Sequence, residues 1–324
     1  MPVCFNEYDS RMDLLGQVLA VSGVRGVVGA RIEAGQDWGW WWTSATPRAA
    51  LHAVTSGTAW LGLPGQPPLQ LMPGDVVLLP DGREHALGSD AGAVARTSAR
   101  NFDPWHTTDS GAVRIGTGPV RAHILCADYG HDAVVSTQVL GLLPPLVHIR
   151  VQSDGGVLED TVRLLGRELA SPAMATSVVL DRLVDILLVH VLRAWLASIP
   201  DEQPEQRPSW LGALRDDVVG AAAAKLHEDP SRPWTTTTLA RAAGVSRATL
   251  TRRFAAATGE SPGAYLNRWR MDVAARRLRD TDDSLETIAQ SVGYTSVYAF
   301  SRAFSRSRSQ SPGRYRSQAR AVAG

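Results

Sequence analysis

The sequence predicts an α+β multidomain chain: an N-terminal antiparallel β-barrel, a helical linker region and a C-terminal all-α domain built on a doubled motif. Three observations predict this. Between residues 20 and 130, short β-rich runs alternate with glycine, proline and aspartate clusters. From about Val157 the apolar residues recur at helical spacing instead. From Trp210 onward helical signals continue, and one block repeats itself after 49 to 50 residues. The expected segments are 12–143, 157–198 and 210–318 of 324 residues.

The strand region contains Ala49–Val54, Thr58–Leu63, Val76–Leu79 and Val120–Cys126, separated by turns such as LPGQPP, MPGD and PDGRE. Many short strands at even spacing suit a barrel or sandwich. Trp38, Trp40 and Trp42 recur at period two and therefore share one strand face. They form a wall of the core or, on the sharper reading, a stacking wall for a planar or apolar ligand.

Leu158, Val162, Leu165 and Leu169 place a helix that ends at Ser171-Pro172. The next stretch, Ser177–Ser198, carries Leu180, Val184, Leu187, Val191 and Trp195 on one stripe, with further apolar residues alongside. Such a helix must be covered on more than one side. A subunit interface would do this, as would the barrel's own flank, and the expectation here is a homodimer through Leu187 and Val191. Ile199–Ser209 holds three prolines and several charges and reads as a linker.

Composition bounds the function. With 44% hydrophobic and 20% charged residues the chain is of ordinary globular type. No apolar run approaches the ~18 residues of a membrane span, and MPVCFNEYDSRMD lacks the pattern of a signal peptide. Two cysteines, Cys4 and Cys126, are too few for a disulfide scaffold. A cytoplasmic protein without a membrane partner is expected. The net charge of +1 hides an asymmetry: from Trp210 to the end stand 18 basic and 10 acidic residues, against 15 and 22 before it. A basic half joined to an acidic half suits a nucleic-acid reader attached to something else.

The repeat carries the chemistry. Leu239-Ala240, Gly244 and Val245 recur as Ile288-Ala289, Gly293 and Tyr294, and Ser246, Leu250, Arg252 and Phe254 recur as Ser296, Phe300, Arg302 and Phe304. Ser261-Pro262-Gly263 and Tyr265 likewise match Ser311-Pro312-Gly313 and Tyr315. Each copy has the parts of a helix-turn-helix: a short helix, a glycine that ends it at positive φ, and a serine that caps the next helix. Residues between the apolar anchors face outward: Arg247, Ala248, Thr251 and Arg252 in the first copy, Val297, Tyr298, Ser301 and Arg302 in the second. An outward arginine set into the major groove reaches guanine O6 and N7 with two bonds. Pro262–Arg279 is long enough, at 1.5 Å per residue, to hold the motifs about one DNA turn apart.

The stretches LARAAGVSRATLTRRF, SPGAYLNRWRMDVAARRLRDT, ETIAQSVGYTSVYAFSRAF and SPGRYR resemble the DNA-binding domain of the AraC/XylS family of bacterial transcription regulators. The resemblance implies a transcription factor that binds double-stranded promoter DNA, with base contact falling to Ala248, Thr251 and Arg252 and then to Val297, Tyr298, Ser301 and Arg302. It also implies a contact with RNA polymerase if the protein is an activator. One departure stands out: where the family places an aromatic residue and a glycine, this chain has Arg308 and Ser309, so the end of the second recognition helix is expected either to pack differently or to carry an extra phosphate contact through Arg308.

Gly74, Pro80, Gly82 and His85 fit the second cupin motif, so the first half resembles a cupin-like sensor domain. A cupin enzyme would carry His-x-His and a glutamate before the strand containing Thr58, and here only His52 stands there. His52, His85 and Cys126 are legitimate ligands for zinc or another transition metal. They are equally read as buried histidines satisfied by backbone groups and a small apolar cysteine, or as a thiol activated by its neighbours. The reading carried forward is a non-enzymatic regulator sensing a small molecule, a metal or an oxidant near Trp38, Trp40, Trp42, His52 and His85. The alternative is a metal-dependent cupin enzyme tethered to DNA.

Overall fold

The computed structural model describes residues 14–42, 48–96, 106–107, 112–130, 140–150, 156–171, 173–199 and 210–323. These form two compact units. Of the described residues, 25–130 and 140–199 make one, and 14–24 with 210–323 make the other.

The first unit holds strands β1 (Arg25–Gln36), β2 (Gly39–Trp42), β3 (Ala49–Ser56), β4 (Ala59–Gly62), β5 (Leu69–Leu71), β6 (Val76–Leu79), β7 (His85–Gly88), β8 (His106–Thr107), β9 (Val113–Ile115), β10 (Thr117–Gly130) and β11 (Val147–Ile149). Seven pair in the order β11-β6-β3-β10-β1-β9-β8, and four in the order β2-β7-β4-β5. The pairings are antiparallel except β1 with β9. Alternation sends Ile32 and Ala34 of β1, Val54 of β3 and Ile124 of β10 inward, where they meet Leu61 and Leu87 of the smaller sheet. All six are buried.

Helices cover the other face of the larger sheet. Val157–Ala170 and Thr176–Ser198 form an antiparallel pair whose buried residues include Val162, Leu165, Val184, Leu187 and Val191. The longer helix rests directly on β1: a Cβ on Gly26 would collide with a Val184 methyl. The Tyr129 hydroxyl donates to the Val184 carbonyl at 2.7 Å, and the Gly26 amide donates to Asp185 at 2.8 Å. This corrects the expected dimer seam. Leu187 and Val191 are fully buried on the barrel's flank, while Val178, Ile186 and, on the shorter helix, Leu164 are exposed.

The strand region also contains a short helix, Ala91–Arg96, that composition did not signal. Asp90 caps it by accepting from the Ala93 amide at 2.8 Å, and it buries Ala93 and Val94. Most of the proline-rich linker, residues 200–209, lies outside the described residues, as do Cys4 and Pro172.

The second unit comprises helices Leu14–Ser22, Trp210–Arg215, Asp217–Glu228, Thr236–Ala242, Arg247–Thr258, Pro262–Asp280, Leu285–Ser291, Val297–Arg308 and Pro312–Ala323. The first of these lies within the segment from residue 12 that the sequence pattern assigns to the barrel domain, yet it packs among the helices of this unit. Its apolar run LLGQVLAVS fits a strand or a helix equally by pattern, and burial decides: Leu14, Leu15 and Val21 are buried, Val21 in a cluster with Trp269, Met271 and Leu278. A buried polar chain fixes the same helix. The His227 ring lies 3.6 Å from the Trp269 ring, its Nδ1 donates to Gln17 Oε1 at 3.0 Å, and its Nε2 accepts from the Tyr265 hydroxyl at 2.9 Å. Burial, aided by nearby Arg268, lowers the His227 pKa to about 3.

Candidate nucleic-acid interface and barrel cluster

Both copies of the repeat fold alike. Thr235 caps Thr236–Ala242 in a reciprocal box with Thr238, and Ser284 caps Leu285–Ser291. Each turn passes through a glycine in the left-handed region, Gly244 at φ 69° and Gly293 at φ 79°. Ser246 and Ser296 then accept from the Thr249 and Ala299 amides. Leu250 and Phe254 anchor the first recognition helix, Arg247–Thr258, and Phe300 and Phe304 anchor the second, Val297–Arg308; none of the four is measurably exposed. We name these recognition helices R1 and R2.

The anchors turn the predicted residues outward. Arg247, Ala248, Thr251 and Arg252 are exposed or half-buried on R1, as are Val297, Tyr298, Ser301 and Arg302 on R2. Thr251 folds its hydroxyl back onto the Arg247 carbonyl at 2.9 Å, leaving its methyl outward as an apolar contact. Arg302 lies over the Tyr298 ring at 5.7 Å from its centre, which steadies both side chains. Two neighbouring arginines on R1 have different fates. Arg252 is exposed, whereas Arg253 is held by Asp216 at 2.8 Å. Arg306, one turn beyond Arg302, is also exposed and joins the candidate face; its spacing of four from Arg302 was the available signal.

Arg308 does not join it. Its side chain is 4% exposed and pairs with Asp272 of Pro262–Asp280, itself 7% exposed. Burial raises the Asp272 pKa, and Arg308 and then Arg268 oppose that rise. Arg268 in turn donates to Glu260 at 2.7 Å. Of the two expectations for Arg308, the structure shows the different packing: in place of a phosphate contact, a buried ion pair ties R2 to the helix joining the two motifs. Ser309 ends R2 at φ 55°, in the left-handed region that Gly259 occupies at the end of R1. The departure from the family's aromatic-plus-glycine pattern is accommodated by a new polar core contact and a strained cap.

In the barrel, β3, β7 and β10 bring His52, His85 and Cys126 together, with Cys126 opposite His52 in register and Trp42 opposite His85. Trp40 stacks on Trp42 at 4.8 Å and Trp42 on His85 at 5.4 Å. Trp38 is buried in the same core. The hydrogen bonds define one consistent protonation pattern. His85 Nδ1 donates to the Arg83 carbonyl at 2.8 Å, so its Nε2 accepts from His52 Nε2 at 2.8 Å. His52 Nδ1 is then the acceptor for the Cys126 thiol at 3.1 Å. Every group in this relay is neutral. Burial, reinforced by His85, holds the His52 pKa well below its ordinary value. Burial lowers that of His85 to about 4, against the opposing pull of the Arg83 carbonyl. Burial and then Asp128 push the Cys126 thiol up.

This arrangement bears on two of the readings open from the sequence. A thiol held protonated is not activated as a nucleophile. Nor do the three side chains fit a three-ligand metal ion, because His52 offers a different nitrogen to each neighbour. The two Nε2 atoms at 2.8 Å also stand closer than the about 3.3 Å that 2.0–2.1 Å bonds at a tetrahedral angle require. Among the described residues no group of three or more His, Cys, Asp or Glu side chains is placed to hold a metal ion.

Fold and site define a class: a β-barrel domain joined to a DNA reader with two helix-turn-helix motifs. A family model described as Cupin matches residues 13–197, and one described as Helix-turn-helix domain matches residues 239–318. A putative AraC-like transcription regulator of Streptomyces lividans is 35% identical over 308 residues, 94% of this chain and 98% of the relative. Another from Streptomyces antibioticus is 34% identical over 307 residues, again 94% and 98%. The HTH-type transcriptional regulator AlkR of Acinetobacter baylyi is 30% identical over 280 residues, 82% and 87%. The chain belongs to the AraC-like family of DNA-binding transcription regulators. No helix among the described residues is long and apolar enough to cross a membrane.

Proposed function

We propose that this protein reads a specific site in promoter DNA with R1 and R2, and that a chemical signal taken by its barrel domain controls that reading. The observation that carries the DNA-reading part is the matched geometry of the two motifs, each with a serine cap, two buried anchors and an exposed arginine between them. The signal-sensing part is supported by the aromatic column Trp40–Trp42–His85, whose outer tryptophans are only partly buried. A small molecule stacking on Trp40 or displacing Trp42 would disturb the relay beneath. To control DNA binding, it must favour one state of the protein over another.

Selection of duplexes from a random pool by the full-length protein tests the first part. The expected outcome is a site with two recognition elements about one helical turn apart. Arg252→Ala should relax one element and Arg302→Ala the other, each by ~1–3 kcal/mol. Equal losses on selected and random duplexes would reduce both arginines to phosphate contacts.

We further propose that the protein acts as a homodimer through the exposed face of Thr176–Ser198. Val178 and Ile186 stand eight residues apart on that helix, which puts them on one side, and both are exposed.

A further inference from the structure

The barrel interior is filled by side chains, but the outside of the same unit carries a cleft of about 550 Å³. Its floor is the outer face of the larger sheet and its wall is the helix Val157–Ala170. Alternation along the strands decides what reaches it. Because Ile32 and Ile124 point into the core, Arg31, Glu33 and His123 point out, and all three line the cleft. From the helix come Arg163, Arg167 and Leu169. Helix and sheet touch at Gly166, where a Cβ would stand 3.4 Å from that of Thr55.

Charge then selects a ligand. Arg163 is already neutralised by Glu159 at 2.6 Å and Asp160 at 2.9 Å. Among the described residues neither Arg31 nor Arg167 has an ion-pair partner, and Glu33 is the one carboxylate lining the cleft. Among the groups that line the cleft, two available guanidinium groups against one carboxylate leave a single positive charge, presented from its floor and its helical wall. His123 shares a hydrogen bond between its Nδ1 and the Ser56 hydroxyl at 2.8 Å, so its Nε2 is left for another partner. The volume lies within the ~300–1,000 Å³ of small-molecule sites, and Leu169 with Ala170 gives one wall an apolar surface.

We propose that this cleft binds a small organic monocarboxylate with an apolar body. The carboxylate bridges Arg31 on the sheet and Arg167 on the helix, and the apolar body lies along Leu169 and Ala170. A monoanion matches the single net charge, whereas a phosphate dianion would leave one charge unmatched. Bound there, the ligand fastens Val157–Ala170 to the barrel, and that helix packs against Thr176–Ser198, the helix we assign to self-association. This site is separate from the tryptophan–histidine column and stands or falls independently of it.

Isothermal titration of the full-length protein with octanoate and with 3-phenylpropanoate tests the proposal, with octan-1-ol as the uncharged control. The expected result is saturable binding of one or both acids at one site per chain. Arg31→Gln and Arg167→Gln should each weaken it about tenfold or more, as loss of a charge-assisted bond requires. Glu33→Gln should tighten it, and octan-1-ol should bind more weakly than octanoate. Circular dichroism of each variant confirms that these exposed or half-buried substitutions leave the fold intact. Absence of saturable binding by both acids overturns the proposal, as does binding that a folded Arg167→Gln variant retains in full. Duplex binding by the same preparations is measured in parallel, so that failure of the cleft and failure of the DNA reader are told apart.

Discussion

Taking the Asp272 and Arg308 side chains out of water is unfavourable by several kcal/mol per ion, and their mutual attraction offsets this only while both remain. Arg308→Ala should therefore destabilise the reader by about 3–5 kcal/mol, far more than loss of a surface phosphate contact would. Replacing both, as Arg308→Met with Asp272→Leu, should recover most of that loss. Urea unfolding of the parent and the two variants checks it; an Arg308→Ala protein as stable as the parent would place the side chain in solvent. The buried histidines make a second prediction at this scale. His85 and His227 have folded pKa values of about 4 and about 3, below the ordinary 6.5. Between those values and 6.5 the unfolded chain binds more protons, so stability is fully present above about pH 6.5 and falls as pH drops. Each histidine contributes a slope of about 1.4 kcal/mol per pH unit in that window. Unfolding free energies at pH 7, 6 and 5 should decline accordingly, and His227→Gln should remove one proton's worth of the slope.

At the scale of an element, the helix Thr176–Ser198 has a buried apolar face and, on its other side, the exposed Val178 and Ile186 through which we propose it self-associates. The face with Leu187 and Val191 is buried in the protomer, and a charge there meets the sheet. Ile186→Glu should give a folded monomer, whereas Leu187→Glu should unfold the barrel unit. Sedimentation velocity with circular dichroism separates the two, and an unchanged dimer in Ile186→Glu would move the interface elsewhere. The recognition helices show how much of an element a repeated pattern reveals: caps, glycine turns and anchors were all legible because each is local. Arg252 and Arg253 were not distinguishable by pattern, since the partner that removes Arg253, Asp216, lies 37 residues away. The helix Leu14–Ser22 was missed for a related reason, as its role depends on His227 and Trp269 at the other end of the chain.

At the scale of the whole molecule, the charge imbalance between the halves predicts how DNA binding responds to salt. The exposed arginines of R1 and R2 sit in the basic half, so duplex affinity of the full-length protein should fall linearly on logarithmic axes as salt rises. Arg306→Ala should make that slope shallower by about one if Arg306 meets a phosphate. Arg308→Ala should leave the slope unchanged in whatever fraction remains folded. A flat salt response would contradict the reader itself.

The sequence by itself determined the two-part architecture, the doubled motif and the eight outward residues of R1 and R2, because periodicity, capping and turn chemistry are properties of neighbouring residues. It also put Trp38, Trp40 and Trp42 on one strand face and His52 and His85 near it. The tertiary structure alone decided what those residues do to one another. Whether three polar side chains make a metal site or a neutral relay depends on which ring nitrogen faces which partner. Whether an arginine meets DNA or a buried aspartate depends on a helix 36 residues away. Charge, burial and hydrogen-bond direction act over ångströms in space, and no spacing along the chain records them.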